Sequence, residues 1–213
     1  MGFRSEDTHH LEGDPPGRPY SGGFTLIEVV IVLAIIGLLA SIIAPNMARY
    51  VQNSKLRRAT KDVELIGGAI GAFYNDLGDW PVWQVGTARQ SGDAKFALLY
   101  GPGTLPGQGG APSGDTGDAL VNHLGINTPV YPTNVGDPTL PYAWRGPYLE
   151  QFRADPWGQA YLVNVKFLWP VNEQGNKPVY VLSSGPNRVV DTNFDQTGPN
   201  MTIGGDDIVY RIK

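Results

Sequence analysis

The sequence predicts an α+β chain: one long N-terminal helix packed on a small antiparallel β-sheet, with a long Gly/Pro-rich loop region between them. Three observations carry this. Residues 24–44 read FTLIEVVIVLAIIGLLASIIA, 21 residues in which Glu28 is the one charge. Ala59, Val63, Ile66, Ile70, Phe73 and Leu77 then recur at spacings of 4, 3, 4, 3 and 4, an apolar stripe at helical period. Residues 161–168, 179–183 and 208–212 are short runs rich in β-branched and aromatic side chains, as strands are.

Composition narrows the function classes. The 213 residues are 41% hydrophobic and 17% charged, too apolar for wholesale disorder. A net charge of -4 and a pI near 5.3 lack the basic excess of a nucleic-acid binder, so no nucleic acid is expected as a partner. The absence of cysteine excludes disulfide frameworks, thiol catalysis and thiolate metal sites. The 28 glycines and 18 prolines are about a fifth of the chain, against an ordinary roughly 12%, and they predict many loops.

The first 23 residues are polar and rich in Pro and Gly, with Arg4 and Arg18 against Glu6, Asp7, Glu12 and Asp14. A removable secretory signal would instead open with a basic stretch and end in a small-residue cleavage site after the apolar run. The run itself spans about 32 Å as a helix, close to the hydrocarbon thickness of a bilayer. Its apolar residues go all round the helix, unlike a core helix with a polar face. Glu28 costs roughly 2.5–3.5 kcal/mol at membrane depth, and such carboxylates usually face a partner. The flank after the run carries Arg49, Lys55, Arg57, Arg58 and Lys61. Counting Lys and Arg alone places that flank in the cytoplasm, against the orientation adopted below.

Gly23-Phe24-Thr25-Leu26-Ile27-Glu28, set directly before the apolar run, resembles the processing site of type IV prepilins and type II secretion pseudopilins. The resemblance implies that residues 1–23 are a cleaved leader, longer and more acidic than is usual in the family. A prepilin peptidase would cut between Gly23 and Phe24 and methylate the new amino terminus at Phe24. Glu28 would neutralise the amino terminus of a neighbouring copy in a helical filament. Gly37 and Pro45 fall where family members have a glycine and a proline, and the helix between them loosens on assembly. Both are weak points of a helix, since proline removes a backbone hydrogen bond and glycine is a poor helix former. The resemblance also implies a type IV pilin fold, a single inner-membrane span with the head in the periplasm, and an inner-membrane assembly platform as partner.

Beyond the apolar run, the amphipathic stripe continues the helix to about Leu77. The whole helix is expected over 24–78, its second half forming the spine of a head at 79–213. Gly67, Gly68 and Gly71 weaken it by about 1 kcal/mol each relative to alanine and allow close packing. Gly78-Asp79-Trp80-Pro81 stops it. Residues 84–147 read as an irregular excursion, with helical turns expected at 94–100 and 119–124 and His123 as a surface loop residue. Asp155-Pro156-Trp157-Gly158 reads as a turn leading into the sheet at 148–213. That turn, with the tail SSGPN…GGDDIVYRI, resembles the major pseudopilin of type II secretion systems.

Between the last two predicted strands, Asp191, Asn193 and Asp195 alternate and Thr197 follows. Oxygen donors at every second residue let a loop wrap a hard cation. It is not an EF-hand, because Gln196 stands where the turn glycine belongs and Thr202 where the closing glutamate belongs. Asp206 and Asp207 supply further acid. Major pseudopilins bind calcium in the loop at this place through aspartates and backbone carbonyls. The resemblance therefore implies Ca2+ at Asp191, Asp195 and Asp207, with Asn193 and Asp206 as further donors.

The reading is thus a structural filament subunit, the major pseudopilin of a type II secretion system driving protein export. A surface pilus subunit for adhesion, motility or DNA uptake stays open, as does a minor tip subunit that binds a ligand. An enzyme is not expected: the chain has no G-x-S-x-G, no cysteine nucleophile and no histidine cluster suited to a metal.

Overall fold

The computed structural model describes residues 22–84, 95–108, 117–133, 142–168, 177–196, 198 and 200–213. The chain forms two compact units, Met1–Met47 and Ala48–Lys213. Helix α1 spans Leu26–Leu77 and is continuous through positions 37 and 45. The predicted leader lies outside the described residues except for Gly22 and Gly23.

In the first unit, the large apolar side chains from Phe24 to Ile43 are exposed on every side of the helix. Among the described residues α1 is the one helix long and apolar enough to cross a membrane, and its apolar stretch is wholly unburied. Gly37 has no atom near the place its Cβ would occupy.

The second unit is built on the amphipathic half of α1. Ala59, Val63, Ile66, Ile70, Phe73 and Leu77 are all buried, as a 3.6-residue period requires. The helix ends at Gly78, whose φ of +67° suits glycine and whose N–H donates to the Tyr74 carbonyl at 2.7 Å. That is a left-handed C-terminal cap. Asp79 then accepts from the Trp80 N–H and the Trp83 Nε1, both at 2.8 Å, fixing the turn away from the helix.

The sheet has five strands in the order β3-β1-β4-β5-β7. They are β1 (Leu98–Tyr100), β3 (Gly117–Ala119), β4 (Leu162–Val163), β5 (Tyr180–Ser183) and β7 (Ile208–Arg211). A separate parallel pair joins β2 (Gly107–Gln108) to β6 (Val189–Val190). The expected antiparallel sheet is mixed, because β1 pairs parallel with β3 while β1-β4, β4-β5 and β5-β7 are antiparallel. Residues 98–100, expected as a helical turn, are strand: Leu98-Leu99-Tyr100 has partners on both edges. The strand expected at 161–168 is cut to β4, followed by a 3-10 turn at Val165–Leu168. Asn164 is the cause. Its Oδ1 accepts the Tyr180 N–H at 2.7 Å and its Nδ2 donates to the Pro178 carbonyl at 3.1 Å. The Asn164 N–H still reaches the Tyr180 carbonyl at 3.4 Å, but its side chain takes over the neighbouring bonds and the backbone then leaves the strand.

Both faces of the sheet are covered. Tyr161, Val163, Val179 and Val181 join the helix stripe in the main core. Ala160, Leu162, Tyr180 and Leu182 form a second core with Val190 and Phe194. All four residues of β5 are buried, consistent with its unbroken apolar run YVL. The excursion at 84–147 is more ordered than expected where it is described, holding β1, β2, β3 and the short helix α2 (Leu120–Leu124).

His123 on α2 is fully buried rather than exposed in a loop. Its Nδ1 lies 2.7 Å from the Tyr131 hydroxyl, and its Nε2 lies 3.2 Å from Asp118 Oδ2, too poorly aligned for a hydrogen bond. Burial holds its pKa below the ordinary 6.5, against the pull of the Asp118 carboxylate. The Asp155 turn is anchored more deeply than its sequence suggests. Asp155 is buried, accepts from the Trp157 and Gln159 N–H groups at 2.9 and 2.8 Å, and takes the Ser183 hydroxyl at 2.7 Å. Gly158 closes the turn at φ +86°.

Candidate functional site: the helix N-terminus and the 187–207 corner

Two places concentrate the residues of interest. At the first, Thr25-Leu26-Ile27-Glu28 forms a capping box. Glu28 Oε2 accepts from the Thr25 N–H at 2.8 Å and the Thr25 hydroxyl at 2.7 Å, while the Glu28 N–H donates to Thr25 Oγ1 at 3.3 Å. Two otherwise unpaired donors at the helix start are satisfied by one carboxylate. Gly23 and Phe24 precede α1 outside regular secondary structure and are exposed. The Gly23–Phe24 peptide bond is therefore accessible, and Glu28 sits about one turn from it.

The second place is the corner where the 187–192 segment meets 204–207. Asp207 Oδ2 accepts from the Asp191 N–H at 3.0 Å and the Thr192 N–H at 2.6 Å. Asp206 Oδ2 accepts from the Asn187 N–H at 3.0 Å, and Asp191 Oδ2 from Asn187 Nδ2 at 2.7 Å. Gly204 and Gly205 seat Asp191: a Cβ on the first would strike the Asp191 carbonyl, and on the second the Asp191 carboxylate. Asp206 Oδ1 and Asp207 Oδ1 are buried without a hydrogen-bond partner. Burial pushes the Asp207 carboxyl above the ordinary carboxylate range, partly offset by bonds from Thr192 and Asp191.

Of the residues the sequence suggested for calcium, the structure brings Asp191, Asp206 and Asp207 together. Asn193 is turned to its own loop, its Oδ1 accepting the Asp195 N–H at 2.9 Å. Asp195 lies 3.6 Å from Lys166 Nζ, and its side chain is more than half exposed. Among the described residues, no three His, Asp or Glu side chains stand ready to hold a metal together. Asn187 belongs to the corner and was not singled out from sequence. The one signal for it was its place in SSGPN, a turn motif ahead of the acidic stretch.

Comparison with known proteins bears on the first place. The family model for the prokaryotic N-terminal methylation motif matches residues 18–44, covering Gly23, Phe24 and Glu28. The chain carries this N-terminal methylation motif. The chain is 25% identical to the type II secretion system core protein G of Klebsiella pneumoniae over 182 residues, 85% of this chain and 95% of that protein. It is 26% identical to core protein G of Escherichia coli K12 over 175 residues, 82% of this chain and 88% of that one. To the fimbrial protein EcpC of Eikenella corrodens it is 46% identical, but over 59 residues that are 28% of this chain and 39% of that protein. No solved structure matches the chain at a significant level. The apolar part of α1 falls largely within the matched motif and is long and apolar enough to cross a membrane.

Proposed function

We propose that the chain is the structural subunit of a helical, pilus-like filament: the major pseudopilin of a type II secretion system, driving protein export. The observation that carries this reading is the extent of the likeness. The core protein G relatives align over more than four-fifths of the chain, whereas the fimbrial likeness covers about a quarter of it. In this reading a prepilin peptidase cuts after Gly23 and methylates Phe24. The anchor waits in the inner membrane with the head in the periplasm, and an assembly platform draws subunits into the filament. Glu28 then leaves its own Thr25 for the amino terminus of a neighbouring copy, with Gly37 and Pro45 as the points where α1 yields.

Deleting the gene in its own organism tests the reading. Exported proteins should accumulate in the periplasm while surface filaments stay normal. Loss of surface filaments with export intact would make the chain a pilus subunit instead. Mass spectrometry of the membrane-extracted protein should find methylated Phe24 as the first residue, and Gly23→Leu should be inserted but uncut.

A calcium ion fits the 187–207 corner in the kind of donors on offer. Two buried carboxylate oxygens lack partners there, and hard cations take carboxylate and carbonyl oxygens. Asp191, Asp206 and Asp207 are the side chains that would hold it, with backbone carbonyls around them. Asn193 and Asp195 are left out because their side chains are engaged elsewhere. The ion would supply positive charge where carboxylates crowd, stabilising the head by mass action.

A further inference from the structure

Residues 45–61, directly after the apolar run, hold Arg49, Lys55, Arg57, Arg58 and Lys61 and no Asp or Glu, in a chain of net charge -4. The fold sorts these five bases into two groups. Arg58 and Lys61 are engaged within the second unit. Arg58 Nη2 donates to the Ala154 carbonyl at 2.9 Å and its Nε lies 3.4 Å from Asp62 Oδ2, while Lys61 Nζ lies 3.6 Å from Glu64 Oε2. Arg49, Lys55 and Arg57 have no ion pair among the described residues. This neck of α1 is also bare: Ala48 to Ser54 are all exposed, Tyr50 among them, and the first buried residue of the second unit is Ala59.

The placement of the three unpaired bases selects their partner. At 3.6 residues per turn they stand round the helix, with gaps of roughly 80°, 160° and 120°, rather than along one face. A protein partner meets one face of a helix, whereas lipid headgroups surround a helix that crosses a bilayer. Arg49 follows the apolar run by five residues, and Lys55 and Arg57 by eleven and thirteen. Helical side chains lean toward the N-terminus, here toward the apolar run, and the long stems of Lys and Arg let the charge reach back to the interface. Arg57, the farthest, is about 20 Å along the helix from the run. The headgroup layer, the side chain and a Debye length of about 8 Å together span that gap. Tyrosine is enriched at headgroup level, where Tyr50 follows Arg49.

We infer that Arg49, Lys55 and Arg57 form a collar that binds the phosphates of anionic phospholipids on the head side of the membrane. This rests on the membrane-spanning reading above. Lys and Arg on that side run against the ordinary positive-inside distribution, and anionic headgroups give them a use there. The collar fixes the depth of the unassembled subunit in the bilayer.

The chain has no cysteine, so Ser54→Cys accepts a single fluorophore within the collar. The full-length protein is reconstituted into vesicles of phosphatidylcholine with a minority of phosphatidylglycerol. Energy transfer to a trace of dye-labelled phosphatidylglycerol is compared with transfer to phosphatidylcholine carrying the same dye. Phosphatidylglycerol should be enriched round the label about fivefold, the ratio that roughly 1 kcal/mol per contacting base gives. Molar sodium chloride should erase the enrichment by screening. Replacing Arg49, Lys55 and Arg57 together by glutamine should abolish it at unchanged melting temperature, because glutamine is as good a helix former and no ion pair is lost. Arg58→Gln with Lys61→Gln should keep it. Equal transfer to both lipids in wild type, or enrichment that survives the triple substitution, overturns the inference. So does inorganic phosphate that removes the enrichment where sodium chloride of equal ionic strength does not, since the collar would then be a site for free phosphate. Protein that alkaline carbonate strips from the vesicles removes the membrane-spanning reading itself, and the collar with it.

Discussion

Glu28 has two competing uses, and its chemistry separates them. Within its own chain the carboxylate caps α1 through Thr25; in the proposed filament its negative charge would serve a neighbour. Glu28→Gln keeps an oxygen that can cap, but loses the charge. Glu28→Ala loses both. If assembly depends on charge pairing, both variants should insert and be cut, and both should fail to form filaments, since breaking a buried pair costs about 3–5 kcal/mol. Filament counts by electron microscopy decide it: normal filaments in Glu28→Gln would mean that capping, not charge, is what matters. His123 carries a second prediction at this scale. Its folded pKa lies below the ordinary 6.5 because it is buried, so on acidification the unfolded chain takes up the proton first. Stability should therefore fall as pH drops from 7 through 6.5 and below. His123→Gln should flatten that slope in melting curves taken from pH 7 to 5. A wild-type melting temperature that holds constant over this range would contradict the buried, neutral imidazole between Tyr131 and Asp118.

At the level of elements, the contact that fixes β7 against α1 is set by a missing side chain. Tyr210 lies over Gly67, where an added Cβ would fall on the tyrosine ring. Gly67 is a poor helix residue, yet it lets the edge strand approach the helix. Gly67→Ala would gain up to about 1 kcal/mol in helix propensity, but it must displace the ring, and overpacking costs about 1–3 kcal/mol. The substitution should destabilise the wild-type background and be neutral or stabilising with Tyr210→Ala. A double-mutant cycle by urea denaturation measures this coupling, and strictly additive effects would show that the ring is not what Gly67 serves. Gly68 and Gly71 face open space, so the same reasoning predicts no clash for alanine there.

Across the head, the two faces of the sheet are secured differently. The helix face rests on the stripe from Val63 to Leu77. The other face rests on Val190 and Phe194, which belong to a segment tied to the last strand through Asp207 and the N–H groups of Asp191 and Thr192. Loosening the 187–207 corner should open the second core before the first. Hydrogen exchange of the full-length protein should show faster exchange at Asp191 and Thr192 in chelator than in calcium, with α1 amides at 66–73 unchanged. Equal acceleration on both faces would mean that the head opens as one unit.

What the chain's order of residues determined by itself was local and periodic. The apolar run at 24–44, the stripe at 59–77 and the glycine stop at 78 need nothing but helical period and chain stiffness, and α1 could be read nearly to its last residue. GFTLIE could be read as part of an N-terminal methylation motif because that motif is contiguous in sequence. The tertiary structure alone decided what depends on partners distant in sequence. Leu98-Leu99-Tyr100 became strand because β3 and β4 flank it, and Val165–Leu168 left the sheet because Asn164 reaches Pro178 and Tyr180. His123 went inside because α2 docks against the core. The acidic loop divided for the same reason: alternation along the chain favoured Asp191, Asn193 and Asp195, but a bent backbone does not keep that register. Asp191 meets Asp206 and Asp207 across the Gly204-Gly205 corner, a proximity set by the pairing of β5 with β7.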